Sequence, residues 1–457
     1  MLPKGLNFDS VVSIFKEANW QRLFRTVIKI VLWGSGALIL IGVLLLSLLL
    51  DKNAKYNNTA QLSNSDLKTA TSFLKRVSKQ LINTKSGTSL YASQNELRSA
   101  LRFVQRANNR VDGNVDIHSS EAIFTLSFRV PLLGRYYYLN AKAILLESQH
   151  GILWRSGQVS SFVLSRSFTN TIFEKSVHVL LGKHYGTNII SGIHDVRIHD
   201  EMISMSFSPP STLQHGFAKA AKRFSAYSGQ SLDFNTQRIQ HYLDFLVDLT
   251  RATAKQNISV ARYIHALMKE AEAQTSINAL SAKDENLAAL YALAVQVAPG
   301  TFRHFVEDLK VHRLNATYQP MLTLNNRHDL AKHFVYSMAL HILSEKGMSF
   351  SLGEAKEILD TDQGGSGFSF ADIAADLTGI RFAEFAIENT QQAKTLQQRV
   401  ASSIKEGDFF PAIDALPEGL SDQSFQDQFT DINSEKYRSV IQNIEGSISA
   451  MPLFNEA

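Results

Sequence analysis

Three short stretches between Arg327 and Gly379 hold the residue types that do chemistry. They are Lys332, His333 and Ser337; then Lys356, Glu357 and Asp360; then Ser366, Gly367, Ser369, Asp372 and Asp376. These side chains recur among Phe, Leu, Ile and Ala in positions a helical core would bury, and burial of polar groups is costly unless they pair. One imidazole among several carboxylates admits three chemistries. The groups can neutralise one another and fix helix register. A carboxyl whose pKa is raised can work as acid or base on a bound ligand, with His333, Glu357, Asp360 and Asp376 as the catalytic candidates. Or His333 with Glu357, Asp360 or Asp376 can hold a divalent metal, since oxygen-rich sites with one imidazole suit Mn, Fe or Zn. No resident cofactor beyond such an ion is expected. Lys332, Ser337, Lys356, Ser366, Gly367, Ser369 and Asp372 are the binding candidates.

The elements that must position them are short helices. On a helix starting at Asp329, Phe334, Met338 and Ile342 form an apolar stripe, and His333 and Ser337, four apart, lie together at its edge. On the next, Glu354, Glu357 and Asp360 are three apart, so neighbouring carboxylates repel unless a cation, a proton or donors intervene. Gly364–Gly367 permits backbone conformations denied to other residues and presents amides to whatever lies above. Ser369 reads as an N-cap and, with Asp372 three residues on, as a capping box, which gives Asp372 a structural reason to exist. Asp376 has none; it follows Ala374 and Ala375 and precedes Gly379, a run suited to tight helix packing.

The order His333-Phe334-x-x-Ser337, Lys356-Glu357-x-x-Asp360 and Gly365-Ser366-Gly367-Phe368-Ser369-x-x-Asp372-x-x-Ala375-Asp376-x-x-Gly379 resembles the pattern of YfiM-like bacterial envelope lipoproteins and, more distantly, of VanZ-like membrane proteins. It covers about a ninth of the chain. The resemblance implies an envelope protein but brings no assigned activity; the sheet domain and the absence of a recognisable triad suggest a binding or scaffold module for an envelope protein or glycan, and the His and carboxylate cluster the alternative of a hydrolase-like or metal-dependent enzyme acting on envelope glycan or lipid. Two departures stand out: the segments carry too many charges for lipid, and the chain has no Cys for lipid attachment.

Elsewhere the sequence speaks of architecture. Residues 30–50 carry no charge and are long enough for a hydrocarbon core of ~30 Å. With the basic residues placed before them, they read as an uncleaved signal anchor. The expectation is a single-pass protein of a bacterial inner membrane: an amphipathic segment at 1–29 in the cytoplasm, a stalk at 51–65 and a periplasmic bulk. Residues 66–210 read as an α+β domain with an antiparallel sheet. Helical periods at 66–81 and 94–109 are followed by alternation at Ala122–Val130 and Tyr137–Ala143, a further strand over 151–164, a helix over 170–181 and a hairpin over 188–208. His194, Asp195, His199 and Asp200 at that hairpin read as a solvated tip in preference to a metal site. Residues 211–457 read as all-α. Between Glu406 and Glu435 lie eight acids and no Lys or Arg, which reads as a solvated, turn-rich segment in preference to a docking surface for a basic partner.

Composition excludes several classes. Without Cys there are no disulfides, thiolate catalysis or zinc ribbons. The net charge is +4, most of it from residues 1–29, and no extended basic face with interleaved aromatics is left to bind nucleic acid.

Overall fold

The computed structural model describes residues 48–56, 61–82, 88–108, 110–132, 134–208, 235–252, 257–278, 281–303, 306, 309–310, 321–343, 353, 356–357 and 365–455. Asn64–Ile82 (α1) leads through Thr88–Ser93 (β1) to Gln94–Ala107 (α2), whose start is fixed by a capping box between Ser93 and Glu96. Strands Val111–Ile117 (β2), Glu121–Leu132 (β3), Arg135–Leu146 (β4), Leu153–Val159 (β5) and Phe162–Leu164 (β6) then form a five-stranded antiparallel meander in sequence order. The alternation seen in the sequence places these strands, but through their middle it is the polar side that packs: Thr125, Ser127 and Asn140 are buried, while Leu126 and Phe128 are 42% and 41% exposed. Helices Arg166–Leu181 (α3) and Lys183–Ser191 (α4) follow, and Phe173 of α3 packs on Trp154 of β5 with ring centroids 5.3 Å apart.

The hairpin Ile193–His199 (β7) and Met202–Phe207 (β8) falls within the expected 188–208, of which 188–191 belong instead to α4, and Asp200 and Glu201 stand at φ 50° and 57° in its turn. It also takes β1 as a third strand in the order β1-β8-β7, a long-range pairing that no local pattern announces. His194 Nε2 lies 3.0 Å from Ser208 Oγ on the exposed side, and Asp195 pairs with Arg197 at 2.8 Å.

The second half is built of helices: Thr236–Ala252 (α5), Val260–Asn278 (α6), Ala282–Val297 (α7), His328–Leu343 (α8), Phe370–Ile387 (α9), Thr390–Ser402 (α10), Asp422–Phe429 (α11) and Glu435–Ser449 (α12). It is not purely α, because Asn257–Ser259 (β9) and Met321–Thr323 (β10) pair in parallel. Helices α7, α8 and α9 form the buried centre. In α9 small residues allow this: a Cβ on Gly379 would stand 2.2 Å from the carbonyl oxygen of Phe334, so the backbones of α8 and α9 touch there. Phe334 then meets Phe382 and Phe409, with centroids 5.8 and 5.6 Å away. The same core takes in Leu62, Leu67, Ala70 and Phe103 from α1, α2 and the approach to α1, and Lys68 pairs with Asp422 at 3.1 Å.

Two expectations need correction. Among the described residues no helix is long and apolar enough to cross a membrane. Most of the expected span, residues 30–47, and the segment at 1–29 lie outside the described residues. Leu49 and Asp51, just beyond, are fastened to the sheet: Ser160 Oγ donates to the Leu49 carbonyl at 2.7 Å, and Asp51 bridges to Tyr138. The apolar stretches that are described serve the protein core, as in α9, which is buried nearly all round and yet carries Asp372, Asp376, Arg381 and Glu384. The single-pass, signal-anchor, inner-membrane reading with a periplasmic bulk falls with it. Nor is the acidic segment a solvated run, since Phe409, Phe410, Ile413, Phe425, Phe429 and Ile432 are buried in the core. Its acids sit on the outside of that anchor.

The contact at Gly379 carries a prediction. Gly379→Ala pushes a methyl into backbone that cannot yield, and should destabilise by about 1–3 kcal/mol. Gly446→Ala, in α12 where a Cβ meets nothing within 4 Å, should stabilise by up to about 1 kcal/mol. Thermal or urea unfolding of both variants checks the pair, and equal effects would contradict the packing described.

Candidate functional site

Asp376 holds the site together. Its Oδ1 accepts from Ser337 Oγ at 2.6 Å and lies 3.0 Å from His333 Nδ1, two groups one turn apart on α8. With Nδ1 taken, the ring's other nitrogen faces two further carboxylates. His333 Nε2 is 3.3 Å from Asp372 Oδ2 and 3.7 Å from Glu357 Oε1. Glu357 is wholly buried; Lys356 Nζ donates to its Oε1 at 3.0 Å and the backbone amide of Ser369 to its Oε2 at 3.2 Å.

This last bond corrects the expected capping box. Ser369 does cap α9, accepting from the Asp372 amide at 3.0 Å, but Glu357, not Asp372, takes the Ser369 amide in return. The Asp372 carboxylate is therefore free to face His333. Its Oδ1 stands 3.5 Å from Arg327 Nη2, while Arg327 is held at 2.6 Å by both Asp329 and Glu418.

A cavity of about 490 Å³ reaches these groups except Glu357, which is buried behind them. Arg327, Lys332, Tyr336, Leu340, Gly353 and Glu418 line it beside His333, Ser337, Lys356, Ser369, Asp372 and Asp376, with Ser366, Gly367 and Gly419 in the wall. Gly367 and Gly419 both have positive φ, 84° and 65°, and a Cβ on Gly367 would stand 2.4 Å from the Gly419 backbone. That close crossing is locked by Phe368 and Leu420, which exchange amide-to-carbonyl bonds of 2.8 and 3.1 Å.

Of the residues singled out from sequence, His333, Ser337, Lys356, Glu357, Asp372 and Asp376 come together, and Lys332, Ser366, Gly367 and Ser369 line the cavity. Asp360, with Glu354, lies outside the described residues. Sequence reasoning missed Arg327, Asp329, Tyr336, Leu340, Glu418 and Gly419. Arg327 and Asp329 stood at the head of the motif and gave a usable signal. Glu418-Gly419 lay about 40 residues beyond it, in a run that looked merely acidic.

The electrostatics follow from burial. Desolvation opposes a charge on His333, but the carboxylates of Asp376 and Asp372 outweigh it and hold the imidazole pKa up at about 9. Burial lifts the Glu357 carboxyl to about 7 despite Lys356, and raises Asp372 as well against the pull of His333. Three carboxylates crowd one imidazole, and Asp372 Oδ1 and Asp376 Oδ2 are buried without a hydrogen bond among the described residues. His333, Glu357 and Asp372 offer ligand atoms all within 4.8 Å of one another and could hold a metal ion. Around an ion with bonds of ~2.0 Å, tetrahedral ligand atoms stand ~3.3 Å apart. The observed 3.3 and 3.7 Å are close to that edge.

Comparison with models of protein families, with curated proteins and with solved structures gives no match to this chain. The resemblance of residues 329–379 to YfiM-like proteins rests on its motif residues alone.

The raised values set a pH dependence for the metal-free protein. His333 contributes stability that is full below its ordinary value of 6.5 and lost as pH rises through about 9. Glu357 keeps its proton when folded, so the unfolded chain gains on it as pH rises from 4.5 to about 7. Both slopes have the same sign. In chelator-treated protein, stability should fall by a few kcal/mol between pH 5 and pH 9, and His333→Gln should flatten the upper half of that fall. A denaturation series across pH tests it; an identical slope in the variant contradicts the assignment.

Proposed function

We propose that the chain is a metal-dependent binding protein, with a divalent ion held by His333 Nε2, Glu357 and Asp372 at the floor of the cavity. The observation that supports this best is the ligand geometry together with its support. His333 is oriented through its other nitrogen by a carboxylate, Asp376, which is itself hydrogen-bonded by Ser337. Such outer bonds fix the tautomer and direction of a metal-ligating imidazole. One nitrogen and two carboxylate donors suit Zn²⁺ or Mn²⁺ more than Cu(I) or Mg²⁺. When bound, the ion would polarise a ligand oxygen at its open position.

A metal-dependent hydrolase is the second reading, and the donor count supports it, because three protein ligands leave a position for water. Neither reading needs a further residue to be brought in. In both, Asp376 and Ser337 hold the ring, Lys356 offsets the charge of Glu357, and Arg327 anchors Asp372 to the cavity rim.

Titration of the chelator-treated full chain with Zn²⁺ and with Mn²⁺, followed by calorimetry and by metal content after desalting, tests the centre. One ion per chain is expected. His333→Gln and Asp372→Asn should each weaken it by two orders of magnitude or more, and Asp376→Asn by about 10- to 100-fold. Since the ion displaces the proton on Nε2 and lets Glu357 ionise fully, uptake near pH 7 should release more than one proton. No uptake, or uptake indifferent to His333 and Asp372, would sink the metal centre.

A further inference from the structure

A second cavity, of about 370 Å³, opens where the start of α6 meets the end of α10, and it shares no lining residue with the first. Ser259, Ala261, Arg262 and His265 line it from one side and residues 402–406 from the other. Its cations are differently placed. Arg327 in the first cavity is taken up by Asp329 and Glu418. Arg262 and Lys405 are both exposed, and neither side chain makes a hydrogen bond or ion pair among the described residues.

Glu406 is the acid of this lining, and both its oxygens are engaged by uncharged donors, Oε1 by the Ser259 hydroxyl and Oε2 by the Asn325 amide at 2.7 Å. Asp408, the next acid along the chain, accepts from the Lys405 amide at 2.6 Å and stands outside the lining. Arg262 and Lys405 against Glu406 therefore leave one positive charge in excess, before His265 is counted. His265 is held by the backbone of α10. Its Nδ1 lies 2.7 Å from the Val400 carbonyl, which can only accept, so Nδ1 carries a proton and Nε2 is left without a partner among the described residues. Ser403 adds a hydroxyl that is likewise unengaged among them.

We propose that this second cavity is an oxyanion site that takes a phosphate group, free or as a small phosphate monoester, between Arg262 and Lys405. The excess positive charge calls for an anion, and the donors decide its kind. A guanidinium fork, an ammonium and a hydroxyl offer more N–H and O–H groups than the two oxygens of a carboxylate can use, whereas a phosphate presents three or more acceptor oxygens. The volume leaves room beside the phosphate for a small organic group. Both cations are open to solvent and screened by salt, so the affinity expected is on the order of 1 mM. The inference stands apart from the metal centre, with which it shares no residue.

The test is phosphorus NMR and calorimetry on the full chain at low salt, with metal removed by chelator so that no ion competes for the probe. The probes are inorganic phosphate and glycerol 3-phosphate, set against acetate. One site per chain should fill saturably with a phosphate, and acetate should be weaker by about tenfold or more. Arg262→Gln should weaken the phosphates about tenfold and Lys405→Gln severalfold. Arg262→Lys, which keeps the charge but not the fork, should recover part of the loss. Glu406 is left untouched because it holds the Asn325 amide, and melting curves confirm that the variants fold. Tighter binding of glycerol 3-phosphate supports an organic phosphate as the ligand, and tighter binding of inorganic phosphate supports the free ion. No saturable uptake up to about 50 mM, acetate equal to the phosphates, or uptake that ignores Arg262 and Lys405 but falls with Lys332→Gln in the first cavity overturns the inference.

Discussion

A carboxylate removed from water and shared by two groups on a facing helix governs the second half of this molecule. Asp376 Oδ1 receives Ser337 and meets His333 Nδ1 at a residue only 1% exposed. A desolvated carboxylate is costly without compensating charge or donors, so α8 must present both residues at that place. It can do so only because α9 lies against it without an intervening side chain at Gly379. Helix packing and site chemistry are thus one constraint. Moving the helices apart by the width of a methyl would lengthen the two bonds that set the direction of the imidazole.

Glu357 extends that constraint to a second element. One oxygen closes the N-terminus of α9 through the Ser369 amide, and the other lies toward His333. A helix start with positive partial charge favours an anion there, which partly offsets the desolvation that lifts the carboxyl to about 7. The crossing of Gly367 over Gly419 holds the same helix start from the other side, through the paired backbone of Phe368 and Leu420. The polar cluster is therefore anchored at three points: the middle of α8, the first two turns of α9, and the segment that carries Glu418.

Much of this was legible in the sequence, and the parts that were not share a physical cause. Periodicity located α1, α2, β3, β4 and the β7–β8 hairpin, because amphipathic burial writes a local signal. The polar side chains of 332–376 were legible as a cluster because polar residues at core positions conflict with their neighbours and need partners. What stayed hidden depends on contacts across long stretches of chain. The pairing of β1 with β8, the parallel β9–β10 pair and the salt bridge from Arg327 to Glu418 leave no mark on neighbouring residues. Phe409, Phe425 and Phe429 were overlooked because the acids between them dominate composition, although the aromatics decide burial. Asp372 was read as one half of a cap that Glu357 supplies instead, and nothing in a three-residue spacing tells those two apart.

The site's charges favour a proton and would favour the proposed metal ion in the same place. Burial lifts the carboxyls of Glu357 and Asp372, and the like charge of Asp372 adds to the lift on Glu357. A proton on His333 removes one charge of the excess, so the ring holds it up to about pH 9. A divalent ion placed at Nε2 would remove two, releasing the imidazole proton and allowing Glu357 to ionise fully. The proton and the proposed ion would be alternative occupants of one electrostatic vacancy. Either leaves Asp376 Oδ2, which lies against the backbone of Gly353, without a hydrogen bond among the described residues.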